Sequence, residues 1–152
     1  MNKHQLFYIL GFVGFDQITK WIAELNLTFY QPFWIIKNRI SFDLVHNYGA
    51  AYGILQNQKL FLLSVSVIII VGSVIFVKHI VSSAYSKWGL IFLLSGAIGN
   101  FVDRLCLGYV IDFINIRIFP VFNMADVYID IAVGLFLYET FWHEKRISSK
   151  QK

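Results

Sequence analysis

Four stretches of this chain are too apolar for the surface of a soluble domain: residues 6–23, 60–77, 88–102 and 127–142. Stretch 60–77 carries no charge and is rich in Val and Ile, and a membrane-crossing helix needs about 20 such residues, range about 17–25. Stretch 88–102 is shorter, but Lys87 can snorkel, and Asp103 and Arg104 mark the far interface. Stretch 127–142 is interrupted by Asp130 and closed by Glu139, and stretch 6–23 contains Asp16 and Lys20. Over 152 residues, 57% are hydrophobic and 14% charged, against about 45–50% and about 25% in a soluble domain. One all-α, polytopic membrane domain with four spans is expected, not a soluble domain with an anchor. The first stretch begins like a signal peptide, with Lys3 before an apolar run. No small-residue cleavage site follows, and Asp16-Gln17-Ile18-Thr19-Lys20-Trp21 continues the helix, so it counts as a span.

Four spans place both termini on one side. Lys3, Lys78, Lys87 and the tail set Lys145, Arg146, Lys150 and Lys152 share that side. Lys37, Arg39, Lys59, Arg104 and Arg117 fall on the other, spread over much longer loops. The bias makes the termini and the tail 143–152 cytoplasmic, with segments 26–59 and 103–126 facing outward. The basic tail reads as an anchor and not as a nucleic-acid site, and aromatic residues, 18% of the chain, gather at segment ends as interfacial belts. Within 26–59, Phe33-Trp34-Ile35-Ile36 and Ile40-Ser41-Phe42-Asp43-Leu44-Val45-His46 flank Lys37-Asn38-Arg39, which predicts an outer-surface hairpin. Gly49 and Gly53 mark a tight turn or close approach, and 51–58 is expected to be a short interfacial helix. The whole 26–59 segment is expected to act as a mobile cover.

The polar residues of interest gather at the outer end. Asp112, in Val110-Ile111-Asp112-Phe113-Ile114, and Asp126, in Phe122-Asn123-Met124-Ala125-Asp126, sit where apolar segments meet water, on one loop. Two neighbouring carboxylates in a partly dry site cannot easily both ionise. One then serves as base toward water and the other as acid toward a carbonyl and its leaving amine. The plainer reading is that each Asp caps a helix, Asp126 standing just before Val127-Tyr128. Asp16 and Lys20, at i,i+4, face the same way and can pair. Gly96 and Gly99, at i,i+3, allow close approach of a helix or a substrate backbone. Asn100 and Arg104 are expected to orient the site. Asn47 and Asn123 suit binding of a carbonyl or extended backbone, although each alone reads as a turn residue. Asp130 is expected to be a buried partner. Cys106 has no His near it in sequence and is expected to be buried and inert. His4, His46, His79 and His143 lack ligand spacing, so no metal and no other cofactor is implied.

These residues alone leave two other classes open. A small transporter or proton-relay subunit would use Asp16, Lys20, Asp112 and Asp126, but should spread its charges across the bilayer. An assembly subunit would use the glycines for packing and the Asp residues as caps.

Five blocks in order resemble the lipoprotein signal peptidases, the type II signal peptidases of bacteria. They are Asp16-Gln17-x-x-Lys20, Asn47-x-Gly49-x-Ala51-Tyr52-Gly53, Gly96-Ala97-x-Gly99-Asn100-x-x-Asp103-Arg104, Gly108-x-Val110-x-Asp112-Phe113 and Phe122-Asn123-x-Ala125-Asp126. The resemblance implies an aspartyl endopeptidase of the inner membrane with an outer-face site and Asp112 and Asp126 as catalytic dyad. It makes Asn47, Asn100, Arg104, Asn123, Asp16 and Lys20 supporting residues. The implied substrates are prolipoproteins, cut before a diacylglyceryl-modified cysteine. The expected partners are that substrate and membrane lipids, the working unit is a monomer, and no nucleic acid is involved. Two positions depart from the family pattern: Ser95 stands for the usual glycine of the third block and Tyr52 for the usual phenylalanine of the second. Ser95 is small enough to keep helix packing, and neither position touches the dyad.

Overall fold

A computed structural model describes residues 2–50 and 54–150, with side chains up to Phe141. Ala51, Tyr52 and Gly53, and the side chains of the basic tail, lie outside the described residues. Each apolar stretch forms a helix: α1 (Lys3–Asn26), α2 (Lys59–Ile75), α4 (Ala84–Cys106) and α5 (Met124–Lys150); α1, α4 and α5 extend past the expected spans at both ends, whereas α2 ends before residue 77. A break at Phe76 separates α2 from a single turn, α3 (Val77–Ile80). By length and composition, α4 is the one described helix apolar enough to cross a membrane, and α2 is apolar but shorter.

The helix starts are written in the sequence. Asn2 caps α1 and exchanges hydrogen bonds with Gln5, a capping box. Ser83 does the same for α4 with Ser86. At the other end of α4, Gly108 adopts φ +90 and its N–H bonds back to the Asp103 carbonyl at 3.3 Å. Glycine tolerates this left-handed turn at a helix end, which sends the chain straight into the next strand.

The hairpin is present as β1 (Phe33–Ile36) and β2 (Ile40–Asn47), and Asn38 takes φ 61 in its turn. The sheet has a third strand that the sequence reading assigned to a loop. This strand, β3 (Val110–Asn115), pairs antiparallel with β2, setting Val45 opposite Asp112 and Asn47 opposite Val110. The strand Val-Ile-Asp-Phe-Ile-Asn is buried along nearly its whole length. It therefore lacks the apolar–polar alternation that marks a half-buried strand. Within the segment expected to act as a mobile cover, this pairing hydrogen-bonds β2 to the 103–126 segment. The expected helix at 51–58 is absent from its described part, where residues 54–57 form a turn.

Helix α4 is central and packs against α1, α2 and α5. Its residues Leu90, Ile91 and Leu94 form the core with Ile9 of α1. Apolar side chains that remain exposed, among them Phe7, Leu10, Ile68 and Leu137, cover the outer faces of α1, α2 and α5. At one end of the α4–α5 pair, Glu139 accepts hydrogen bonds from Ser82 and Ser86. At the other end, α5 lies so close that a Cβ on Gly96 would collide with the Ala125 carbonyl, and one on Gly99 would stand 2.5 Å from an Asp16 carboxylate oxygen. Ser95 is fully buried and its hydroxyl donates to the Ile91 carbonyl at 2.7 Å, so the departure from glycine is absorbed within the helix.

Gly96→Ala forces α4 and α5 apart and should destabilise the protein by about 1–3 kcal/mol. The thermal midpoint in detergent should fall; an unchanged midpoint would contradict this close approach.

Candidate active site

The site grows from one buried cation. Lys20 is 1% exposed and lies 2.8 Å from Asp16 and 2.9 Å from Asp103, themselves 0% and 2% exposed. A buried ammonium is tolerable only with such partners. Each carboxylate also holds a backbone N–H. Asp16 accepts from Ala125 at 2.8 Å, in the first turn of α5, and Asp103 accepts from Ile111 at 3.3 Å, in β3. Gln17 donates to Asp16, to Asp103 and to the Gly99 carbonyl. Four elements are thereby tied to one charge cluster: α1, α4, α5 and β3.

Asn100 carries the cluster toward the cleft. Its Oδ1 accepts from Lys20 Nζ at 3.0 Å, and its Nδ2 donates to Asp126 Oδ1 at 2.8 Å. Asn123, fully buried just before α5, donates to Asp112 Oδ1 at 2.6 Å and to Asn100 at 3.3 Å. Its backbone N–H donates to Asp126 Oδ2 at 3.2 Å, while Asp126 N–H donates to Asn123 Oδ1 at 3.1 Å. This reciprocal pair is a helix cap, so the plain reading of Asp126 is correct and incomplete: the cap fixes the carboxylate that faces the cleft. Asn47 donates to Asp112 Oδ2 at 2.9 Å and, through Oδ1, accepts from Gly49 N–H.

Asp112 and Asp126 open onto a cavity of about 490 Å³, whose polar wall also holds Asn47, Asn100 and Arg104. Arg104 donates to the Gly49 carbonyl at 3.0 Å, and its buried Nε has no partner among the described residues. Gly49 itself is buried against the 54–57 turn, where a Cβ would meet the Ile54 carbonyl at 2.6 Å. The lining also includes apolar Ile116, Phe119, Val121 and Ile129. Burial and then the neighbouring Asp126 charge push the Asp112 carboxyl up from its ordinary 3.8 to about 7, against the lowering effect of the Asn47 and Asn123 donors and of Lys20. The pair can therefore hold one proton near neutral pH.

The predicted site residues fall into three groups. Asp112, Asp126, Asn47, Asn100, Arg104 and Asn123 meet at the cleft, whereas Asp16 and Lys20 stand behind it. The glycines provide room: Gly96 and Gly99 for α5 and Asp16, Gly49 for the adjoining turn. Two expectations are corrected. Asp130 is exposed and lines the cleft, because it lies one helical turn beyond Asp126 and shares its face. Cys106 is exposed, since the last turn of α4 points outward. Gln17 and Asp103 were not assigned to the site; the i,i+3 spacing of Asn100 and Asp103, which puts both on one helix face, was the available signal.

This architecture is that of a membrane enzyme. A solved bacterial membrane enzyme, obtained by the in meso method at 2.3 Å, superposes with a TM-score of 0.85 at 30% identity, covering 98% of this chain and 92% of the other. A second, at 1.9 Å, gives 0.79 at 31% identity, covering 90% and 92%. The chain belongs to the signal peptidase (SPase) II family, whose model matches residues 8–142. Lipoprotein signal peptidases of Streptococcus thermophilus and Caldanaerobacter subterraneus are similar to it. The first is 38% identical over 141 residues, 90% of this chain and 91% of the relative. The second is 37% identical over 132 residues, 86% and 91%.

Lys20→Met strands two buried carboxylates and should cost about 3–5 kcal/mol, measured as a lowered unfolding midpoint. A midpoint equal to that of the wild type would show that the cluster does not hold the four elements together. Between pH 3.8 and about 7, the folded protein keeps a proton on Asp112 that the unfolded chain releases. This group's contribution to stability therefore falls as pH rises across that window and is level above it. Asp112→Asn should raise the midpoint more at about pH 8 than at about pH 5; an equal rise at both would contradict the raised carboxyl.

Proposed function

We propose that this protein is an aspartyl endopeptidase that removes signal peptides from diacylglyceryl-modified prolipoproteins, cutting before the lipidated cysteine. The observation that carries the reading is the convergence of Asp112 and Asp126 on one cleft, joined through Asn123. Family membership supports the substrate class.

Asp112, almost fully buried, holds the shared proton and directs it at the scissile carbonyl oxygen. Asp126, less buried, takes a proton from water. The water oxygen bonds to the carbonyl carbon, and Asp112 protonates the oxygen as the tetrahedral intermediate forms. Collapse breaks the carbon–nitrogen bond, Asp126 returns its proton to the leaving amine, and Asp112 regains its own. The products are a signal peptide with a free carboxyl and a lipidated cysteine with a free amine. Asn100, held by Lys20, fixes Asp126, and Asn47 and Asn123 fix Asp112.

In this reading α1, α2, α4 and α5 cross the bacterial inner membrane, with both termini cytoplasmic and the cleft at the outer face. The exposed apolar faces of α1, α2 and α5 support it, as does the clustering of Asp16, Lys20, Asp103 and Asp112 at one end. A water-consuming dyad belongs where water reaches it. The lipidated substrate enters sideways from the bilayer, and the enzyme works as a monomer.

Purified wild type should cut a diacylglyceryl-modified prolipoprotein, seen as a gel shift, and spare the unlipidated form. Asp112→Asn and Asp126→Asn should each lower the rate by about 10²–10⁴-fold or more while still inserting and folding. Undiminished cleavage by either folded variant would end the dyad mechanism.

A further inference from the structure

Asp130 is a carboxylate that the dyad mechanism leaves without a task. It lines the same cleft as Asp112 and Asp126, it is exposed, and among the described residues it makes no hydrogen bond or ion pair. The other ionisable groups on the cleft wall are engaged. Asp112 is bound by Asn47 and Asn123, Asp126 by Asn100 and Asn123, and Arg104 by the Gly49 carbonyl. Ile129 beside it in sequence is apolar, and Ile116, Phe119 and Val121 are further apolar residues of the same lining. An anion in such a setting gains from any donor that a ligand brings, and the gain is larger where water is displaced.

Its position identifies which part of a bound peptide it meets. Four residues along α5 separate Asp130 from Asp126, about 6 Å at about 1.5 Å per residue. An extended peptide advances about 3.3 Å per residue, so the offset corresponds to about two substrate residues. Helix α5 leads inward from the outer face in the reading above, on which this inference rests. The signal peptide enters from that same inward side, so those two residues lie upstream of the scissile bond.

We propose that Asp130 is a specificity residue for the second residue upstream of the cleavage point, where it favours a hydroxyl side chain over a methyl and rejects a carboxylate. A serine hydroxyl there donates to Asp130 and keeps its own lone pairs for backbone or water. An alanine leaves the carboxylate without a donor. An aspartate adds a like charge beside the Asp130 carboxylate.

The test compares three lipidated substrates that differ only at that residue, carrying serine, alanine or aspartate. Each is cut by wild type, Asp130→Leu and Asp130→Asn, and the readout is the ratio of kcat/KM values within each enzyme, which does not depend on absolute rate. Wild type should prefer serine over alanine by about 10-fold and cut the aspartate substrate least. Asp130→Leu should bring the serine-to-alanine ratio close to one. Asp130→Asn, nearly isosteric and so the safer variant for folding, should raise the aspartate substrate relative to alanine while keeping part of the serine preference. Ratios unchanged from wild type in both variants would overturn the assignment. Failure of wild type to cut any of the lipidated substrates would instead overturn the peptidase reading, and this assignment with it.

Discussion

The burial of Lys20 between Asp16 and Asp103 sets the geometry of everything around it. An ammonium out of water is costly unless it is paired and its protons are used. Lys20 uses two on carboxylates and another on Asn100. Asp16 also accepts from the first turn of α5 through its other oxygen, and the Asp103 oxygen that meets Lys20 also accepts from β3. The elements that carry Asp126 and Asp112 are therefore positioned by the same ion cluster. Neither aspartate touches Lys20 directly, and this separation leaves both free to face the cleft.

Asp126 shows how a structural duty and a chemical one coexist. Its carboxylate closes a capping box with Asn123 and also accepts from Asn100. The cap fixes the side-chain rotamer at the start of a helix, where the orphan N–H groups favour a negative charge. Asp112 is held differently. It sits in the middle of a buried strand and receives two amide donors, with no cation in hydrogen-bonding contact. The two aspartates are thus unlike in environment, and this inequality allows a pair to divide the roles of acid and base.

The sequence made the helices legible because each is a long apolar run, and the first hairpin because Lys37-Asn38-Arg39 interrupts two strand-like segments. It hid β3, whose six residues lack alternation because the strand is buried between the other elements. It hid the role of Asp103 for a different reason. The residue stands at the end of an apolar run, so it read as an interface marker, and nothing in local spacing reports that Lys20 from another helix lies beside it. Asp130 was misread because a carboxylate inside an apolar run is normally assumed to need a buried partner. The helical period that aligns it with Asp126 was visible, but the cleft along that face was not.

The polar and apolar parts of the cleft lining impose opposite demands on any ligand. The dyad part is built of amides and carboxylates that prefer a hydrated, hydrogen-bonding backbone, while Ile116, Phe119, Val121 and Ile129 prefer an apolar one. A soluble peptide satisfies the first part and leaves the second in water. A free lipid satisfies the second and brings no donor to the first. The lipidated substrate of the proposed function, peptide on one side and hydrocarbon on the other, would satisfy both. The same reasoning explains why the polar network is so completely bonded among itself. Asp112, Asn123 and Asn100 must hold their geometry in the empty cleft, before any substrate arrives to supply donors.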